Sequence, residues 1–137
     1  MRISIKSEYA LRALLELAVK NSARPLSIKE ICRRQNLPLK FTEQLFRKLK
    51  KQELIKSKQG PKGGYLLAKP PVEITLHEIL TALEDNFQSK PCQEKAVQYC
   101  SGNRCNIYSV LENIETHLTE YFQKINLESI INSDGGK

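Results

Sequence analysis

Three cysteines stand close together in the second half of the chain: Cys92, Cys100 and Cys105, with seven and four residues between them. Pro91, Ser101, Gly102 and Asn103 flank them, and so little apolar cover leaves packing a poor explanation. Lys90 and Arg104 nearby favour the thiolate, the form that ligates metals and attacks disulfides. Zinc, thiol–disulfide exchange, an iron–sulfur cluster and no ligand at all are the open readings. The close Cys-x-x-Cys spacing that structural zinc sites favour is absent, whereas loops around iron–sulfur clusters use wider spacings. Cys32 stands apart, beside Ile28 and Ile31, and reads as a small core residue. A second group, Lys40, Glu43, Gln44, Arg47, Lys48 and Lys51, falls on one side of a candidate helix. Lys and Arg neutralise phosphates, while Gln and Glu bond directionally to base edges in the major groove. Glu43 suits a cytosine amino group and Gln44 suits adenine. The bland alternative is a solvated basic helix face. With only two histidines, His77 and His117, and no nucleophile–base or paired-carboxylate motif, the chain is not read as an enzyme and no small-molecule substrate is expected.

These residues need elements to hold them. Tyr9, Ala10, Ala13, Leu14, Leu17 and Ala18 recur at helical spacing and predict a helix over residues 8–20, with Ser7 as its N-cap and Glu8 in its first turn. Ser27-Ile28-Lys29-Glu30 reads as a capping box opening a short helix to about Arg34, ended by Asn36. After Pro38 a third helix runs to about Gln52, with Phe41, Leu45 and Leu49 on its apolar face. Strand candidates at Leu54–Lys58 and Tyr65–Ala68 enclose Gly60-Pro61-Lys62-Gly63-Gly64, a hairpin with a glycine-rich tip. Lys56, Lys58 and Lys62 would grip phosphate or enter the minor groove from it. Helix-turn-helix followed by a basic hairpin describes a winged helix.

Lys69-Pro70-Pro71 marks a linker, and Thr75-Leu76-His77-Glu78 is a second capping box, opening a helix to about Glu84. The cysteine-bearing stretch, residues 86–106, follows. Ile107, Leu111, Ile114, Leu118, Tyr121 and Ile125 then alternate steps of four and three, a heptad seam on a helix over 107–125, widened by Val110 and Phe122. So long a stripe exceeds what a small winged helix can bury, so an identical helix is expected to cover it, making a homodimer. Packing on its own domain is the alternative. Residues 133–137 are read as frayed. The expected class is mainly α, a winged helix-turn-helix with a short β-hairpin wing and a long C-terminal dimerisation helix. Residues 1–70 form the DNA-binding domain, and residues 71–137 carry the linker helix, the cysteine loop and the dimerisation helix.

Charge follows the same division. Residues 1–70 hold 17 Lys and Arg against 5 Asp and Glu, while residues 71–137 hold 5 against 10. A basic half joined to an acidic half fits a nucleic-acid module with an attachment, where a merely basic protein would spread its charge evenly. Arg12 and Glu16 interrupt the first apolar stretch, and no later segment approaches a membrane span, so a cytoplasmic location without membrane attachment is expected.

Several fragments together resemble the IscR/NsrR/CymR-type (Rrf) winged-helix regulators. They are Met1-Arg2-Ile3-Ser4, Tyr9-Ala10-Leu11, Glu43-Gln44-Leu45, Gly60-Pro61-Lys62-Gly63-Gly64-Tyr65-Leu66-Leu67, Thr75-Leu76, Glu78-Ile79 and the three later cysteines. The resemblance implies a homodimer on a roughly palindromic double-stranded operator, with Glu43 and Gln44 where relatives read bases; the expected DNA contacts are Arg2, Lys40, Glu43, Gln44, Arg47, Lys48, Lys51, Lys58, Gln59 and Lys62. It also implies an iron–sulfur cluster on Cys92, Cys100 and Cys105, with [2Fe–2S] preferred to [4Fe–4S]. A metal-free regulator of the same fold, responding to thiol oxidation or to a partner protein, is the alternative. Some relatives place a histidine three residues after the third cysteine, where this chain has Tyr108. Others use an acidic side chain near the N-terminus of the partner subunit, where this chain has Glu8, and Glu8 is also explicable as a helix-start carboxylate. His117 is a further candidate for the fourth ligand, whereas His77 fits a helix start. Pro38-Leu39-Lys40 departs from the serine-rich entry common before the recognition helix, which bears on operator sequence rather than binding mode.

Overall fold

The computed structural model describes residues 3–20, 24–84 and 106–133. Helix α1 (Ile5–Lys20) starts earlier than its apolar spacing predicts. Ser7 is not its cap: it lies inside the helix, fully buried. The capping oxygen is that of Ser4, which accepts from the Ser7 amide at 3.3 Å. A polar residue one turn upstream thus satisfies the first free amides, and Ile5 and Lys6 join the helix although neither side chain is buried. Helix α2 (Ile28–Gln35) opens on Ser27, whose side chain accepts from the Glu30 amide, and closes on Asn36 in the left-handed conformation. Only this half of the expected box is seen, because Glu30 turns to Arg33 and Arg34 instead. Helix α3 (Leu39–Lys51) buries Thr42, Leu45, Phe46 and Leu49.

Strands β1 (Ile55–Lys58) and β2 (Gly64–Leu67) pair antiparallel, with Ile55 opposite Leu67 and Lys58 opposite Gly64. Leu26, between α1 and α2, bridges Tyr65 on the far edge of β2 through bonds of 3.0 and 2.8 Å. Gly64 permits this approach: its φ is +150°, and a Cβ there would sit 2.5 Å from the Leu26 carbonyl oxygen. The predicted linker contains a 3-10 turn at Pro71–Glu73, after which Thr75 and Glu78 form the full capping box of α4 (Leu76–Leu83).

Helix α5 (Asn106–Lys124) matches the predicted long helix to within a residue at each end, and Ile125 lies just beyond it. Of the stretch read as frayed, residues 134–137 lie outside the described residues. Asn126 caps a further helix, α6 (Leu127–Asn132), that the apolar pattern did not announce. Leu76 donates to the Ile125 carbonyl and Leu127 to the Ile74 carbonyl, zipping this turn to the entrance of α4. Leu127 is thereby fully buried with Ala10, Leu14, Phe46, Ile74, Ile79 and Leu83, so the main core continues past residue 70. Cys32 belongs to the same core, as expected. A smaller cluster of Leu76, Leu80 and Phe122 pins α5 to α4, with Leu118 and Ile125 packed against it. Phe122 therefore faces its own chain and does not widen the outward stripe.

Candidate nucleic-acid interface

Helix α3 is held from two sides. Its Phe41 meets Tyr9 of α1 edge-on at 5.9 Å, and its Phe46 meets Tyr65 of the wing edge-on at 4.9 Å. With that side fixed in the core, Lys40, Gln44, Arg47 and Lys51 are left exposed at successive steps of four, three and four. One stripe of a helix is therefore cationic and polar while the opposite stripe is buried. Glu43 and Lys48 flank the stripe and are half-buried. Lys48 reaches the Leu83 carbonyl at the end of α4, at 3.5 Å.

The wing stands next to this stripe. Lys56, Lys58, Gln59 and Lys62 are all exposed. Its tip is set by backbone sterics: Gly60 has φ +110°, and a Cβ on Gly63 would lie 2.3 Å from the Lys58 carbonyl oxygen. Lys50, which the sequence reading did not single out, donates to Ser57 at 2.7 Å and ties α3 to β1. No periodic signal marks such a tie, because its partner depends on strand register. Arg2 lies outside the described residues.

Behind α2, a polar network fixes the other helix of the motif. Arg12 bonds to the Gln35 carbonyl, Gln35 donates to Glu16 at 2.5 Å, and Arg34 pairs with Glu16 at 3.6 Å and with Glu30 at 2.8 Å. The guanidiniums of Arg33 and Arg34 hold the Glu30 carboxyl down to about 2. The contacts of Arg12 and Gln35 are part-buried, whereas Arg33 lies in solvent, where screening leaves its pair with Glu30 little weight in stability.

The candidate metal site divides. Cys92, Cys100 and Cys105 lie outside the described residues. Glu8 is exposed on α1, 3.9 Å from Arg12, beside a groove of about 370 Å³ lined by Ile3, Leu11, Leu15 and Ile130. His117 is exposed on α5, its Nδ1 2.7 Å from the Asn113 carbonyl oxygen. Among the described residues no group of three or more metal-binding side chains forms. A residue that sequence reasoning missed sits at the edge of this region. Glu84 accepts from Ser7 at 2.8 Å and from Ser4, tying the end of α4 to the start of α1. The Ser4 bond, then that of Ser7, with help from the charges of Lys6 and Lys48, holds its carboxyl below the ordinary value; burial works against them. Only Ser7 was read as a cap, and nothing in sequence pairs Ser4 with a carboxylate 80 positions away.

Of the predicted seam, Ile107 is 69%, Ile114 51% and Tyr121 61% exposed, and Leu111 is also open. Leu118 and Ile125 are partly covered by the chain's own second cluster.

These features, a helix-turn-helix with a braced wing and a long helix with an open apolar face, meet one family over almost the full chain. Residues 3–133 match Rrf2, described as iron-dependent transcriptional regulators. The chain belongs to the Rrf2 family. Among relatives of this Rrf2 protein, the HTH-type transcriptional regulator IscR of Photorhabdus laumondii is 33% identical, across 97% of this chain and 80% of its own length. The structure of CymR, the global cysteine regulator of B. subtilis, superposes with a TM-score of 0.80 at 29% identity, covering 98% of this chain and 99% of CymR. IscR of T. potens gives 0.78 at 27%, covering 99% and 94%. The Rrf2 protein is thus a transcription regulator of winged-helix type, similar to regulators and not to enzymes. Among its described residues, no helix is long and apolar enough to cross a membrane.

Proposed function

We propose that this protein is a cytoplasmic homodimer that binds a roughly palindromic double-stranded operator, with its affinity modulated by an iron–sulfur cluster. The observation that carries the DNA reading is the exposed stripe Lys40, Gln44, Arg47 and Lys51 on a helix whose other side is locked in the core, next to a lysine-bearing wing. In this reading Arg47, Lys48, Lys51, Lys58 and Lys62 meet phosphates, Arg2 and Gln59 reach the adjacent groove, and Glu43 and Gln44 meet base edges. Log K should then fall by about 0.9 per phosphate neutralised for each unit of log salt. Glu43→Ala should relax discrimination at one base position by about 1–3 kcal/mol while leaving the salt slope unchanged. Fluorescence anisotropy against duplexes over a salt series measures both, and salt-independent binding rejects the reading.

Three thiols in one segment, the family's description as iron-dependent and the likeness to IscR support the cluster. Cys92, Cys100 and Cys105 would supply thiolates and Glu8 a carboxylate, a harder and more easily displaced ligand. The exposed Glu8, 3.9 Å from Arg12, fits that part. A bound cluster, [2Fe–2S] before [4Fe–4S], supplies an oxidisable and labile iron centre. Protein purified without oxygen should show visible charge-transfer bands and stoichiometric iron and sulfide. Both should vanish in Cys→Ala variants at position 92, 100 or 105. The likeness to CymR, including a structure of the Staphylococcus aureus protein in its oxidised form, favours a second reading, a metal-free thiol-responsive regulator. A colourless anaerobic preparation whose DNA affinity still changes on oxidation would establish that one instead.

A further inference from the structure

Lys48 differs from the other cations of α3. Lys40, Arg47 and Lys51 are exposed, whereas Lys48 is half-buried one step round the helix, with its ammonium 3.5 Å from the Leu83 carbonyl. Leu83 ends α4, where unsatisfied carbonyls make the helix terminus negative. Glu84, the next residue, adds a full negative charge, and the Lys48 charge helps to keep that carboxyl ionised. The carboxylate is itself fixed in place: Ser7, fully buried, donates to it at 2.8 Å, and Ser4 donates as well. It therefore cannot follow Lys48 outward. Lysine has the opposite character, a compact charge on a flexible stem that can exchange one acceptor for another.

We propose that Lys48 is a reserve DNA contact, kept at the Leu83–Glu84 end of α4 in the free protein and passed to a backbone phosphate when duplex docks. The inference rests on the DNA-binding reading of α3 and adds an internal competitor to it. The end of α4 and the phosphate backbone bid for one ammonium, so whatever weakens the first acceptor strengthens DNA binding through this residue alone.

Sequence-independent DNA binding is electrostatic, so a mixed-sequence duplex serves as the probe and no operator is needed. Affinity over a salt series is measured for the full chain, Glu84→Gln, Lys48→Ala and the double variant. Glutamine keeps an acceptor for Ser4 and Ser7 while removing the charge. Glu84→Gln should tighten binding by about two- to tenfold, the lower part of the range for groups coupled through one polar network. Lys48→Ala should lower the salt slope by about 0.9 per subunit bound and abolish the response to Glu84→Gln. An equal gain from Glu84→Gln with and without Lys48 would mark a general charge effect and overturn the proposal, as would an unchanged slope in Lys48→Ala. Nuclear magnetic resonance of the lysine ammonium groups gives a check that needs no Glu84 variant. The Lys48 signal, assigned by its loss in Lys48→Ala, should exchange slowly with water in the free protein and shift on adding duplex. A fast-exchanging signal in the free protein overturns the reserve. If the unaltered protein binds no duplex at low salt, the DNA-binding reading fails, and the proposal with it.

Discussion

At the scale of single residues, the polar groups that matter most here are joined over long sequence distances. Glu84 illustrates the consequence for pH. Its carboxyl is held below the ordinary value of 4.5 by Ser4 first, then by Ser7, Lys6 and Lys48, against the opposing effect of burial. A carboxyl with a depressed folded-state pKa contributes stability above its unfolded value, and that contribution disappears as pH falls through the folded one. Thermal melting should therefore favour the unaltered protein over Glu84→Gln at neutral pH, and the two curves should converge in acid. Melting temperatures that differ by the same amount at every pH would mean the carboxylate charge plays no part. Other site residues were legible one at a time, because Lys40, Gln44, Arg47 and Lys51 need only helical spacing to share a face. The partners of Lys50, Ser7 and Glu84 were not, since they depend on how α3 meets β1 and how α4 meets α1.

At the scale of elements, the helices with clear periodicity and caps appear where their residues place them. Thr75 and Glu78 form the complete box expected of them, and Asn36 adopts the left-handed turn that stops α2. A short element with weak local signals is not announced in the same way. Helix α6 has six residues, too few to show a period, and its identity is decided by the backbone bonds that zip Leu127 to Ile74. Its contribution is nonetheless to the core: Leu127 is fully buried beneath α1. Leu127→Ala should cost about 2–5 kcal/mol, the usual range for emptying a packed site. Urea unfolding monitored by circular dichroism measures it. A loss well under that range would mean α6 detaches readily from the core.

At the scale of the whole molecule, α5 decides whether one chain is complete. Its inner side is anchored by Phe122 and Leu118, with Ile125 just past its end, yet Ile107, Leu111, Ile114 and Tyr121 remain open along a helix of roughly 28 Å. The heptad spacing foresaw the stripe but not its division between an inner and an outer face, which depends on where α4 packs. Aspartate at both Ile107 and Ile114 tests the outer face without disturbing the Leu118 contact. The double variant should sediment as a monomer and lose operator binding while keeping its circular dichroism. In the dimer, two half-sites would lie about one helical turn apart, roughly 34–36 Å, or a multiple of it. An unchanged sedimentation coefficient would place the interface elsewhere.

The bridge from Leu26 to Tyr65 also governs how such a small sheet avoids the wrong neighbours. A two-stranded ribbon has two raw edges, each able to recruit a strand from another molecule. Leu26 closes the edge of β2. Among the described residues, no strand pairs with the outer edge of β1, whose Lys56 and Lys58 are exposed. Positive charges on an edge discourage stacking of like on like, so the lysines that suit a polyanion also keep copies of the protein from joining strand to strand. In the DNA-binding reading, duplex that neutralised these lysines would have to supply that protection itself.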